Sequence, residues 1–299
     1  MNASPLLEAC GLGKRYGEQW ALRDCTLALP RGSVVGLVGP NGAGKTTLLQ
    51  LAVGVLAPSA GAILVLGEDP RDAKRVLPRV GFVGQDAPLY PNFSVGDTLT
   101  LGRHVNQRFD ESWARERLQG FRIPLERKVG QLSGGQRAQV ALALAKEPEL
   151  LLLDEPVASL DPLARREFLV ALLEGVIERG ISVVLSTHLI SDLERSCDYL
   201  VLLMASEVRL AGEIDTLLAE HRLLVGPRKR LRVGSGGIAA IVQERHDERQ
   251  STLIVRADGP LLDPACSQHD LDLEELILAY MGERPEMALQ SLSGLEANG

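Results

Sequence analysis

Residues 33–56 read SVVGLVGPNGAGKTTLLQLAVGVL. Within this stretch Gly39 to Thr46 fits G-x-x-x-x-G-K-[ST], the pattern of a loop that wraps phosphate groups. The β-branched run before Gly39 predicts a strand, and the apolar periodicity after Lys45 predicts a helix, which is the context the pattern requires. Gly39, Gly42 and Gly44 let the backbone bring its N–H groups close to phosphate oxygens, with Pro40, Asn41 and Ala43 between them. The positive end of the following helix adds to the attraction. Lys45 is placed to reach β- and γ-phosphates, Thr46 to ligate Mg²⁺, and Thr47 completes the nucleotide contacts.

Outward from this loop, strand-like and helix-like segments alternate, which predicts a parallel sheet covered by helices. Strands are expected at AGAILVLGED, RVGFVGQD, LLLLDE, ISVVLSTH and YLVLLMA, and a mainly helical stretch over 93–149. WALRDCTLALPRG reads as a strand with a hairpin end at Pro30–Gly32. After about residue 217 the pattern changes. AEHRLLVGPRKRLRVGSGG reads as a basic, glycine-containing boundary, STLIVRA as one further strand, LDLEELILAYMG as a short amphipathic helix, and the last residues as a loose tail.

Leu150–Pro156, LLLLDEP, sets two carboxylates at the C-terminal end of an apolar strand, where open α/β sheets bind ligands. Asp154 suits the water-rich shell of Mg²⁺, and Glu155 suits orienting or deprotonating an attacking water. Alone, such a pair is a solvated strand end; the phosphate loop changes its meaning. His188 ends the ISVVLST strand; beside the LLLLDE strand it would reach the γ-phosphate and hold the water and Glu155 in line. Gln85 also ends a strand, and its amide can ligate Mg²⁺ or bind the attacking water. Leu132–Gln136, LSGGQ, precedes a helical stretch. Alone it is a helix cap with flexible glycines, although Ser133 and the first amides of the helix also form an anion site.

GPNGAGKTT, GQD at Gln85, LSGGQ, LLLLDEP, SLD at 159–161 and STH at His188 occur in this order. In this the chain resembles the ATP-binding-cassette ATPases, the nucleotide-binding subunits of ABC transporters, over about Leu6 to Gly212. The resemblance implies a P-loop NTPase fold of class α/β: a parallel sheet, an N-terminal antiparallel β subdomain and a helical subdomain. It places an ATPase domain at 5–219 with its helical part at 93–149, and leaves a small α+β appendage at 220–299. It implies ATP and Mg²⁺ as cofactors and Tyr16 as the ring that stacks on adenine. It also implies head-to-tail pairing with a second copy or a homologous ATPase subunit. Ser133, Gly134, Gly135 and Gln136 of one copy would then close over ATP held by the other, with Asp161 near the same interface.

The family docks on separate transmembrane permease subunits through the segment after Gln85, here DAPLYPNFSVGDTLTLGR, with Leu89, Tyr90 and Phe93 as the apolar contacts. That stretch is similar to the bacterial exporters of drugs, peptide antibiotics or lipids, so export is expected. The alternative is a soluble ABC ATPase such as an iron–sulfur assembly factor. A DNA-repair type would need a coiled-coil insertion, a ribosome-linked type two cassettes, and a small-metabolite kinase would leave LSGGQ and His188 unexplained.

Composition agrees with these expectations. The chain has 299 residues, 45% hydrophobic and 24% charged, with a formal charge of −7 that argues against nucleic acid as a partner. Its longest apolar runs fall short of the roughly 20 residues that span a bilayer, and its first residues do not read as a signal peptide. A cytoplasmic protein peripheral to the inner face of the membrane is expected. Cys10, Cys25, Cys197 and Cys266 form no metal-binding spacing and read as reduced, small buried hydrophobes.

Overall fold

The computed structural model describes residues 4–85, 89–105, 109–144, 148–158, 160–227, 237–246, 250–259 and 266–282. The chain forms two compact units that divide between Ala211 and Gly212. The elements of the first unit are, in order, β1 (Leu7–Tyr16), β2 (Gln19–Leu29), β3 (Val34–Val38), α1 (Lys45–Ala52), β4 (Ala60–Val65), α2 (Ala73–Val76) and β5 (Val80–Val83). Then come α3 (Val95–Val105), α4 (Glu111–Gly120), α5 (Gly134–Ala143), β6 (Leu150–Asp154), α6 (Pro162–Arg179), β7 (Ser182–Thr187), α7 (Ile190–Ser196), β8 (Tyr199–Met204) and β9 (Glu207–Glu213).

A six-stranded sheet runs in the order β5-β6-β7-β3-β8-β9, with β5, β6, β7, β3 and β8 parallel. The leucine run of β6 shows why it lies inside the sheet, between β5 and β7. Every residue of β6 is buried, and the pleat divides them between two cores. Leu150 and Leu152 join Leu12, Leu22, Leu48, Leu51 and Val65 on one side. Leu151 and Leu153 join Phe168, Leu172, Val183 and Leu185 on the other. A third cluster, with Val95, Leu99, Leu118 and Val140, holds α3, α4 and α5 together.

The β1–β2 hairpin turns at Gly17–Glu18, and β1 also pairs with β4 in a three-stranded antiparallel sheet. Pro30–Gly32 is therefore not a hairpin end. It carries the chain from the antiparallel sheet into the parallel one, where the Gly32 N–H donates to Ser182 Oγ at 2.9 Å. The two-residue connection between β8 and β9, Ala205–Ser206, has φ of 50° and 69°, the left-handed geometry of a tight hairpin. Nothing in its residue types announces that turn.

The second unit contains α8 (Ile214–Glu220), β10 (His221–Pro227), β11 (Ile238–His246), β12 (Gln250–Ala257), β13 (Ser267–His269) and α9 (Leu273–Gly282). Its antiparallel sheet runs β11-β12-β10-β13, so four strands stand where the sequence suggested one. HRLLVGP is not a linker but β10, paired along its length with β12. The basic residues after it, at 228–230 and 232, and the tail beyond 282 lie outside the described residues. His221 is fully buried, its ring against Leu217 O at 2.7 Å and Tyr280 Oη at 2.9 Å, and burial pushes its pKa down. None of the four cysteines forms a disulfide; Cys25 is buried and Cys197 half-buried, and burial pushes the Cys197 thiol up to about 12. Cys10, by contrast, is exposed on β1.

Phe168 joins α6 to the parallel sheet and is 0% exposed. Phe168→Ala should destabilise the first unit by roughly 3–5 kcal/mol, read from its urea unfolding midpoint. A loss below about 1 kcal/mol would mean that α6 collapses onto the sheet without its ring.

Candidate functional site

Parallel pairing brings the C-terminal ends of three strands to one edge. Asp154 lies opposite Ser186, and Val38 opposite Thr187. Gly39, Glu155 and His188 each follow directly from these ends. An open cleft of about 560 Å³ lies there, lined by Asn41, Gly42, Gly44, Lys45, Thr46, Thr47, Gln85, Glu155 and His188 together with Ala21 and Ala158.

The loop before α1 is shaped by close packing. Gly39 has φ 151°, and a Cβ there would lie 2.1 Å from the Leu203 carbonyl oxygen, so no side chain fits. Ala43 N–H closes the turn onto Pro40 O at 3.1 Å. No side chain caps the start of α1, so its first amides remain for a ligand. Lys45 is buried and folds back across the loop. Its Nζ donates to Gly39 O at 2.8 Å and Pro40 O at 3.4 Å, and lies 3.4 Å from Glu155 Oε1.

Glu155 joins the cationic and imidazole sides of the cleft. One carboxylate oxygen faces Lys45; the other lies 3.1 Å from His188 Nδ1. Its backbone has φ 47°, a left-handed conformation that costs a non-glycine residue roughly 1–2 kcal/mol. The fully buried hydroxyl of Ser186 holds it there. Ser186 Oγ accepts the Glu155 N–H at 2.8 Å and donates to Asp154 Oδ1 at 2.8 Å. Ser186 thus fixes both carboxylate-bearing residues. It stands inside the STH motif, but as a β-strand serine it gave no signal of this role.

Asp154 is 3% exposed behind the cleft, while Thr46 and Gln85 are exposed along it. Other predicted residues lie outside the cleft lining. Tyr16 ends β1, half exposed, with Lys14 Nζ 5.5 Å above its ring. Ser133 caps α5 in a reciprocal box: its Oγ accepts the Gln136 N–H at 3.2 Å, and Gln136 Oε1 accepts the Ser133 N–H at 3.1 Å. Gly134 begins α5, and Gly135 packs so closely on α6 that a Cβ would meet Ala164 Cβ at 2.9 Å. Asp161 caps α6, accepting from the N–H groups of Leu163 and Ala164 at 3.0 Å each. Ser159 lies outside the described residues.

Of the expected docking residues, Tyr90 and Phe93 are exposed, with ring centroids 5.1 Å apart. Leu89 instead packs, half-buried, against two of the cores. Asp86–Pro88 lie outside the described residues. Among the described residues, no helix is long and apolar enough to cross a membrane.

Residues 22–158 match the family model described as ABC transporter. The thiamine import ATP-binding protein of Vibrio parahaemolyticus is 36% identical over 215 residues, covering 69% of this chain and 92% of that protein. The chain belongs to the ABC transporter family, and it is one of the family's ATPases. The Nod factor export ATP-binding protein I of Ralstonia nicotianae is 38% identical over 210 residues, 67% of this chain; the chain spans 64% of that relative's length. A dimeric bacterial ABC transporter cassette superposes with a TM-score of 0.61 at 26% identity, covering 69% of this chain and 98% of the cassette. These relatives are transporter subunits and lend no support to a soluble assembly factor.

Ser186→Ala removes the partner of both a buried carboxylate oxygen and the Glu155 N–H. It should destabilise the first unit by roughly 1–3 kcal/mol, and ATP turnover should fall further than Ser186→Thr lowers it. Equal turnover in the alanine and unsubstituted chains would sink the bridging role.

Proposed function

We propose that this ABC ATPase works as one of two cassettes that close head to tail on ATP, powering export through separate transmembrane permease subunits at the inner face of the cell membrane. The second cassette is a copy of this chain or a homologous subunit. The observation that carries this reading is a division of labour. The cleft at the strand ends holds the phosphate loop, Glu155 and His188, yet its lining excludes Ser133 and Asp161, which cap α5 and α6. A cleft supplied from one side only is what a second cassette would complete.

Within the cleft, the amides of residues 39–46 and the Lys45 ammonium take the charge of the triphosphate. An incoming phosphate must compete with Gly39 O, Pro40 O and Glu155 for Lys45. Mg²⁺ fits the donors present, since Thr46, Gln85 and Asp154 offer only oxygen, and when bound it neutralises charge that builds up on the leaving phosphate. Glu155 takes the proton of the attacking water. His188 donates Nδ1–H to Glu155 and, when the ring carries both protons, offers Nε2–H to the γ-phosphate. Tyr16 stacks on the adenine. Export is favoured over import by the PLYPNFSVGDTL stretch and by the Nod factor export relative. Tyr90 and Phe93 offer the apolar surface that a permease helix would cover.

Glu155→Gln should bind MgATP, lose turnover by a hundredfold or more on the order expected for a general base, and accumulate as a dimer in light scattering. Ser133→Arg should still bind ATP but lose turnover. A Glu155→Gln chain that stays monomeric with MgATP, or a Ser133→Arg chain with full turnover, would overturn the composite site.

A further inference from the structure

The helices that follow the Asp161 turn and the His188 loop face each other through a half-buried arginine and a buried aspartate. Arg165 lies one turn into α6. Its N–H donates to Asp161 O at 3.0 Å, and its Nη2 reaches Leu160 O at 3.4 Å. Asp192 lies in the first turn of α7, four residues after His188, and is 6% exposed. Arg165 Nε and Asp192 Oδ2 face each other at 4.0 Å. Both atoms are buried, and neither has a hydrogen-bond partner.

Leaving a buried donor and a buried acceptor unpaired is costly, more so when both groups carry charge. The 4.0 Å gap is roughly 1 Å beyond hydrogen-bonding reach, so a small shift of one helix against the other satisfies both atoms at once. A bonded arrangement therefore lies a small helix shift away from the one observed. The helix on one side starts at the turn expected to meet the second cassette. The helix on the other starts just after the histidine that meets Glu155.

We infer that Arg165 and Asp192 couple the two loops: docking of the second cassette against the Asp161 turn closes the pair, and closure draws α7 so that His188 is set against the γ-phosphate. Both are positioning residues, since neither lines the cleft. This rests on the roles proposed above for His188 and Asp161.

The test measures MgATP turnover, KM and unfolding midpoint on the full chain. Asp192→Asn and Arg165→Gln should each lower kcat roughly tenfold with KM within about twofold. The double variant should be no slower than either single one, because one contact is lost in all three. Asp192→Glu, a methylene longer, can span the gap and should keep most of the turnover, and it serves as the folded comparison should the asparagine variant fail to fold. Losses that add in the double variant, or that follow the unfolding midpoint with Asp192→Glu no better than Asp192→Asn, would reduce the pair to a structural contact and overturn the inference. His188→Ala is measured alongside. If it keeps full turnover, the proposed role of His188 is wrong and the coupling falls with it. If it loses turnover while Asp192→Asn stays within about twofold of the unsubstituted chain, the coupling alone is wrong.

Discussion

The site depends on the register of three parallel strands, β6, β7 and β3. Each is buried on both faces, and the alternating leucines of β6 are committed one by one to opposite cores. A slip of one residue would exchange the two sets and place every side chain on the wrong side. The register is therefore set by burial along the whole strand, and its consequence appears at the end. Asp154 falls opposite Ser186 and Val38 opposite Thr187, so three chain segments leave the sheet at the same level. The phosphate loop, the acidic pair and the histidine meet because the hydrophobic cores hold their strands in line.

The electrostatics of the cleft follow from that placement. Glu155 lies where Lys45 approaches from one side and His188 from the other, and it gives each a different oxygen. Held in a left-handed conformation, its backbone would relax elsewhere without the Ser186 hydroxyl. That hydroxyl in turn is fixed by donating to the buried Asp154. The strain is stored at a carboxylate projected from a strand end into the cleft, and a neighbouring strand supplies the constraint that maintains it.

Much of this was legible because the motifs use special residue types. A glycine-rich loop between strand and helix, paired acids after a leucine run, and a histidine after a β-branched run converge on one kind of site when they occur together. The parts that were not legible depend on ordinary residues. Ser186 looks like any strand serine until the register places it beside Asp154 and Glu155. Arg165 and Asp192 sit on helices whose relative placement no local pattern reveals. The Ala205–Ser206 turn lacks the glycine or asparagine that usually marks its geometry. In the second unit the strands are partly polar and half exposed, so alternation was too weak to separate β10 from a linker.

The LSGGQ segment admits two readings, a helix cap and a phosphate contact, and its geometry makes them compatible. In the cap, Ser133 Oγ serves as acceptor for the Gln136 N–H. A hydroxyl has one hydrogen to donate as well as lone pairs to accept, so the cap leaves that hydrogen for an anion. Gln136 Oε1 is spent on the Ser133 N–H, which fixes the serine backbone and with it the direction of the hydroxyl. The amides of Gly134 and Gly135 lie at the positive end of α5, with no side chain to block approach. The cap therefore pre-orients the groups a phosphate would use. The cleft with Lys45 and Glu155 does not include these residues, so a nucleotide held there is not the one they would meet. On the proposed head-to-tail pairing, the cap becomes a binding surface when another cassette brings its nucleotide to it.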